Sequence, residues 1–116
     1  MQVTNKSKAT ILATQVEIAD TTLRRVKGLL GRKGLNKGQA LVIRPCNSIH
    51  TFFMQFPIDV LFMDKNNRVV RALPEVKPWR LSAVYFAATY TIELPAGAIR
   101  ESRTQEGDLL ELRDTL

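Results

Sequence analysis

The chain lacks several features that whole classes of protein require. Its 116 residues include one cysteine, so no disulfide can close within the chain, and a cysteine-rich zinc site cannot be built from it alone. No apolar run approaches the roughly 20 residues of a membrane-spanning helix, and no apolar leader region follows the N-terminus. We therefore expect a single cytoplasmic domain without membrane contact or cofactor, in which residues 1–8 form a loose N-terminal tail.

Acidic residues are scarce in the first half of the chain. Residues 1–58 carry nine Lys or Arg and two Asp or Glu, whereas residues 59–116 carry eight and nine. A basic half can attract nucleic acid or acidic lipid, but these bases form no run, and no aromatic residue precedes Phe52 to stack on a base. A solvated basic face is the favoured interpretation. Nucleic-acid binding is kept as an alternative, through Arg24, Arg25, Lys27, Arg32 and Lys33.

The chain does contain a central apolar stretch from Cys46 to Asp64. It holds the only cysteine, the only histidine and four of the five phenylalanines. Apolar side chains occupy both alternating faces, which predicts two strands buried on both sides. Pro57 separates the strands because proline cannot donate to a strand ladder. We call this predicted pair the central hairpin.

Shorter strand patterns flank the central hairpin. Alternating or β-branched segments predict strands within residues 10–19, 40–43, 68–73, 89–94 and 109–112. Asp20 or Thr21 should cap a short helix whose apolar stripe consists of Leu23, Val26, Leu29 and Leu30. Short strands at regular spacing with one early helix predict a mainly β fold, a compact antiparallel β-sandwich or barrel-like domain.

Six motifs in a fixed order carry a resemblance to a known family. They are Gly28–Arg32, Cys46–Thr51, Pro57–Asp64, Trp79–Arg80, Ile92–Gly97 and Gly107–Leu112, within about residues 9–113. Together they resemble the bacterial and archaeal family catalogued as domain of unknown function 192, although Gly31 stands where that family commonly has a bulkier residue. The resemblance implies a β-sandwich-like domain and no assigned activity, and it supplies no catalytic residue. We also expect a bacterial source.

Four residues are candidates for a ligand site near the central hairpin. Asp59 shares a strand face with apolar neighbours, so it should be buried and must be paired, with His50, Arg80 or backbone N–H groups as the expected partners. Trp79 either covers the end of the core or lines a pocket, in which Arg80 would offer a fork for an anion. The hypothesis is a non-catalytic ligand-binding or accessory domain that uses His50, Asp59, Trp79 and Arg80. Its ligand would be an unidentified small molecule or anion.

An enzyme is the alternative, with Cys46 or the His50/Asp59 pair as the reactive groups. In an extended segment, the four residues from Cys46 to His50 span roughly 13 Å, so proton transfer between them requires a bend near Ser48. A metal cluster is disfavoured because the chain offers no second histidine. Glu93, which alternation places opposite the apolar face of its strand, is expected to be a solvated acid or the partner of a cross-strand arginine.

Overall fold

The computed structural model describes residues 1–114, which form eight strands and two short helices. The helices are α1 (Thr22–Lys27) and α2 (Ala98–Ser102). The strands are β1 (Gln2–Asn5), β2 (Thr10–Ala13), β3 (Gln15–Ala19), β4 (Gln39–Ile43), β5 (Ile58–Met63), β6 (Val69–Val76), β7 (Tyr90–Pro95) and β8 (Leu110–Arg113). No helix within residues 1–114 is long and apolar enough to cross a membrane.

The strands are arranged in two sheets. One has three strands in the order β2-β1-β8, and the other has five in the order β3-β4-β7-β5-β6. Strands β3 and β4 are parallel and are joined through α1, whereas the other pairings within these sheets are antiparallel. The predicted mainly β, sandwich-like class is confirmed, and α2 is a second short helix beside the one expected.

Apolar side chains form a core on each face of the five-stranded sheet. The first core lies between the two sheets and includes Val3, Val42, Leu61, Ile92 and Leu110. The second core lies on the opposite face and contains Leu41, Ile43, Val60 and Phe62 with Leu29, Ile49 and Met54 from the connecting segments. Because both faces are covered, all six residues of β5 are buried, as the doubly apolar pattern predicted for this strand.

The expectation of a loose tail over residues 1–8 is wrong. Strand β1 pairs with β2 on one side and with β8 on the other, and Val3 and Asn5 are fully buried. The Asn5 amide donates to Asp108 Oδ2 at 2.9 Å, and the Lys8 ammonium donates to both oxygens of the same carboxylate at 2.8 and 2.9 Å. The partners of these polar residues lie about a hundred positions away, so local sequence could not reveal them.

The prediction of the central hairpin is correct for one of its two strands. Its second strand is β5, but its first strand does not form, and residues 46–57 are an irregular loop with one bridge, His50 to Leu81. Thr51 is fully buried and its hydroxyl bonds to backbone groups of another loop. Phe53 adopts a left-handed φ of 65°, which a strand does not accommodate.

The predicted apolar stripe of α1 does not face the core. Leu23 and Val26 are 80% and 66% exposed, whereas Leu29, which follows the helix, is buried in the second core. The Thr21 side chain accepts the Arg24 N–H, as a cap should, and the helix ends at Gly28 with φ of 47°. The turn at Gly28 directs the chain toward the sheet. Leu23 and Val26, which precede Gly28, therefore stay exposed, whereas Leu29, which follows it, is buried.

Candidate functional site

A cavity of about 340 Å³ opens over the face of the five-stranded sheet that carries the second core. One wall is α1 with the turn that follows it, and the opposite wall is the segment from Ile43 to Met54. Apolar groups dominate the lining, chiefly Val26, Leu29, Leu30, Ile43, Ile49 and Met54. Five ionisable residues also line it, Arg25, Lys27, Cys46, His50 and Glu93. An apolar cavity with a few convergent polar groups is the usual form of a small-molecule site.

Glu93 forms part of the cavity lining from the middle of the sheet. On β7 it lies opposite Leu41 of β4 and Val60 of β5, two apolar neighbours. It is 4% exposed, and among residues 1–114 no side chain or backbone group donates a hydrogen bond to its carboxylate. Burial raises the pKa of Glu93 to about 7, although the Arg32 guanidinium partly opposes this shift. The expectation that Glu93 is a solvated or paired acid is wrong.

Arg25 brings a second unsatisfied group to the cavity. Its Nε is buried and has no hydrogen-bond acceptor within the described part of the chain. One terminal nitrogen reaches Thr22 Oγ1 at 3.5 Å, at the limit of a useful hydrogen bond. The cavity therefore contains a cationic donor and a buried acid, and neither has its ordinary protein partner.

Cys46 and His50 line the same cavity because the chain bends between them. The Cys46 thiol donates to the Ser48 carbonyl at 3.1 Å, so the separation calculated for an extended segment does not apply. No hydrogen bond joins thiol and imidazole among residues 1–114. Burial raises the pKa of the Cys46 thiol, against smaller lowering effects from Thr91, the Ser48 backbone and Arg25. A protonated thiol is a poor nucleophile, so this environment does not favour thiol chemistry.

Thr51 brings three of the four predicted site residues together. Its N–H donates to the Arg80 carbonyl at 2.9 Å, and the Trp79 N–H donates to the Thr51 carbonyl at 3.0 Å. Beside it, the His50 ring stacks on Phe52 with centroids 5.2 Å apart, and Phe52 lies 6.1 Å from Trp79. Trp79 and Arg80 are exposed and lie next to the cavity mouth rather than in its lining. Ligand contact by His50, Trp79 or Arg80 stays a prediction.

Asp59 lies apart from these groups and is used structurally. It is fully buried, as predicted, and its partners are backbone N–H groups. Oδ1 accepts from Glu75 at 2.8 Å, and Oδ2 accepts from Gly97 at 3.1 Å and from Ile99 at 2.8 Å. The carboxylate thus fastens β5 to β6 and to the start of α2. Within residues 1–114 no cluster of three or more His, Cys, Asp or Glu side chains is placed to hold a metal ion.

Glu93 carried a signal that the sequence analysis did not use. The doubly apolar pattern of β5 indicates a sheet buried on both faces, and a strand in the interior of that sheet, as β7 is between β4 and β5, is then buried on both faces, whereas the edge strand β6 is partly exposed. An acid on such a strand is buried whichever way it points. Arg25 carried no comparable signal, because its position at the cavity depends on where Gly28 ends α1.

Comparison with known proteins places the chain in a family. The family model described as Uncharacterized ACR, domain of unknown function 192, matches residues 2–112. The chain belongs to this family. A UPF0127 protein of Thermococcus kodakarensis is 39% identical over 115 residues, which cover 96% of this chain and 73% of the relative. A UPF0127 protein of Pyrococcus abyssi is 37% identical over 113 residues, which cover 92% and 93%.

The fold also occurs among solved structures. A protein of unknown function from Novosphingobium aromaticivorans superposes with a TM-score of 0.81 at 19% identity, covering 96% of this chain and 82% of that one. At this identity the likeness shows the fold alone. The resemblance to domain of unknown function 192 is confirmed. The Thermococcus and Pyrococcus relatives are archaeal, so the expectation of a bacterial source is not borne out by them.

Proposed function

We propose that this family member is a ligand-binding domain whose cavity takes a small amphipathic molecule. The observation that carries the proposal is Glu93, an acid that is 4% exposed, has no donor within the described chain and opens onto the cavity. An unpartnered buried carboxyl is costly to the fold. A ligand that supplies its partner recovers that cost on binding.

The ionisable groups define the kind of ligand. With a pKa of about 7, Glu93 can donate a hydrogen bond when protonated or pair with a cationic nitrogen when ionised. The unsatisfied Arg25 Nε–H calls for an acceptor such as a carboxylate or carbonyl oxygen. The apolar walls take an aliphatic or aromatic body. A small amine that also carries an oxygen acceptor, as in an apolar amino acid, meets all three requirements.

Cavity size limits the ligand to a small one. A volume of about 340 Å³ lies at the lower end of the roughly 300–1,000 Å³ of ordinary ligand sites. The site lies beside the loop that was predicted as the first strand of the central hairpin, with His50 in its lining. This proposal therefore keeps His50 from the predicted set, adds Glu93 and Arg25, and leaves Asp59 to its structural contacts. It also keeps the expected cytoplasmic location, where a lone thiol such as Cys46 stays reduced.

The test is thermal unfolding of the wild-type protein and of Glu93→Gln with a panel of apolar amino acids, simple amines and short carboxylic acids. A ligand that binds only the folded state raises the melting temperature according to its saturation. We expect an amino acid or amine to raise it in the wild type and in Glu106→Gln, a control at an exposed acid, but not in Glu93→Gln. The same ligand should slow alkylation of Cys46, which lines the cavity. Equal shifts in Glu93→Gln, or no shift and no protection with the whole panel, would contradict the proposal.

A further inference from the structure

Large apolar side chains are exposed around the cavity mouth. Nine such residues are exposed within the described chain, and eight of them come from three segments, α1, the loop over residues 46–57 and the loop over residues 77–89. We call these eight the apolar rim: Leu23, Val26, Phe52, Phe53, Trp79, Leu81, Val84 and Phe86. Soluble monomers rarely gather so many apolar groups on neighbouring segments unless they bind something there.

Backbone contacts join the two loops, and α1 faces the first loop across the cavity. The two loops run side by side, with hydrogen bonds from the Ser82 N–H to the Ile49 carbonyl and from the Tyr85 N–H to the Asn47 carbonyl, each at 2.9 Å. Val26 of α1 and His50 of the first loop line the same cavity. The apolar rim therefore borders the cavity on both sides, with α1 on one side and the two paired loops on the other.

Strained backbone holds two of its rings out in solvent. Phe53 and Trp79 have φ values of 65° and 64°, a left-handed conformation that bulky residues rarely adopt. Their rings lie 4.6 Å apart, centroid to centroid, and are 71% and 57% exposed as whole residues. A strained backbone that exposes apolar rings to water does not stabilise the core. Backbone conformations of this kind cluster at functional sites.

The charge on the segments that carry the apolar rim is predominantly positive. Residues 21–58 and 76–92 together contain nine Lys or Arg, seven in the first range and two in the second, and no Asp or Glu. Arg24, Lys27, Lys77 and Arg80 are exposed beside rim residues in the sequence. A surface that combines protruding apolar groups with an excess of exposed cations is complementary to an anionic, apolar partner.

We propose that the apolar rim docks on an anionic lipid bilayer, with its turns at headgroup depth. Phe53 and Phe86 occupy tight turns and are 71% and 90% exposed, so these rings project as tips, which a fluid interface accommodates without matching pockets. Trp and Phe are favoured at that depth, and nearby Lys and Arg bind anionic headgroups. Bases of a single-stranded nucleic acid would stack on the aromatic rings, but they would make few favourable contacts with the aliphatic members of the apolar rim, Leu23, Val26, Leu81 and Val84. This proposal differs from the expectation of no membrane contact, which rested on the absence of a spanning segment and of a run of basic residues.

Vesicle flotation tests the proposal with the full chain. The probes are phosphatidylcholine vesicles with and without about one-third phosphatidylserine, at low and high salt. We expect binding to the anionic vesicles, weakened by salt, and a blue shift of the emission of Trp79, the only tryptophan. Phe53→Asn should reduce partitioning at least fivefold, and asparagine tolerates the left-handed φ at this position, so the fold is retained.

Matched controls come from outside the apolar rim. Ile11 is 60% exposed on β2 and Lys65 is exposed in the β5–β6 turn, so Ile11→Ser and Lys65→Ser should bind as the wild type does. Wild-type protein that ignores both vesicle types, or Phe53→Asn that binds equally well, would overturn the proposal. Salt-sensitive binding to single-stranded oligonucleotides or to polyglutamate, without vesicle binding, would overturn it in favour of nucleic acid or an acidic protein.

Discussion

Thr51 and Arg80 bond to each other in both directions, the Thr51 N–H to the Arg80 carbonyl and the Arg80 N–H to Thr51 Oγ1, each at 2.9 Å. The Thr51 hydroxyl also donates to the Lys77 carbonyl at 2.7 Å. One buried side chain therefore joins the loop over residues 46–57 to the loop that carries Trp79. Neither loop has a strand ladder to hold it there.

Replacing Thr51 by valine should loosen this junction. Thr51→Val keeps the shape but leaves the Arg80 N–H and the Lys77 carbonyl without their partner, which should cost about 1–3 kcal/mol of unfolding free energy. Urea unfolding measures the loss, and Trp79 emission, which arises from the only tryptophan, reports the local change. The control is Thr89→Val at an exposed threonine. If the two variants are equally stable, Thr51 does not hold the loops together.

Glu93 predicts an unusual pH dependence of stability. The unfolded chain ionises this group near the ordinary pKa of 4.5, whereas the folded chain holds its proton until about 7. The folded state therefore binds more protons in this window, and its stability falls as pH rises from about 4.5 to 7, by about 3 kcal/mol in total. Glu93→Gln, neutral at every pH, should lose this slope and exceed the wild type in stability above pH 7.

Unfolding free energies measured across that pH range check the prediction. The matched variant is Glu101→Gln, because the Glu101 side chain is 62% exposed, and it should follow the wild-type curve closely. Parallel curves for the wild type and Glu93→Gln would mean that Glu93 ionises normally in the folded protein.

Asp59 accepts hydrogen bonds from three backbone N–H groups, so even its conservative substitution by asparagine should lower the stability of the fold. In Asp59→Asn one carboxylate oxygen becomes an amide NH₂ that faces a backbone N–H, so at least one of the three bonds is replaced by two opposed donors. We expect a loss of about 3 kcal/mol by urea unfolding. Glu106→Gln, whose ion pair with Arg71 is half exposed, should change stability by less than about 1 kcal/mol. Similar values for the two variants would argue against Asp59 as a structural fastening.

Asp108 should contribute stability in the opposite pH direction from Glu93. Burial raises the pKa of Asp108, but hydrogen bonds from Asn5, Lys8 and the Gln105 N–H outweigh it and hold the value below the ordinary 3.8. Its contribution is therefore complete above the unfolded pKa and is lost as pH falls through the lower folded value. Asp108→Asn should be less stable than the wild type at pH 7 and should show a shallower acid transition. Thermal melts from about pH 2 to 7 test this, with the exposed Asp114→Asn as control.

Sequence reasoning succeeded where periodicity determines the outcome. The doubly apolar pattern of β5 predicted a strand buried on both faces and a buried Asp59, because side-chain alternation follows from strand geometry alone. The mainly β class followed from the recurrence of such segments.

It failed where distant polar contacts decide the outcome. Thr51 looks like an ordinary strand residue, and only its bonds to Lys77 and Arg80 show why residues 46–57 leave the sheet. Asn5 and Lys8 look like a solvated terminus until Asp108 is placed beside them. The cavity wall formed by residues 43–54 depends on such contacts, so the lining could be predicted only in part, through Cys46 and His50.

The pairing of β1 with both β2 and β8 has a consequence for synthesis of the protein. Strand β1 can form a hairpin with β2 as soon as both have left the ribosome, but β8 follows about a hundred residues later. Until then the second edge of β1 has no native partner, and an open strand edge can pair with a neighbouring chain. The nascent polypeptide thus carries an aggregation-prone edge while the residues between β2 and β8 are being translated.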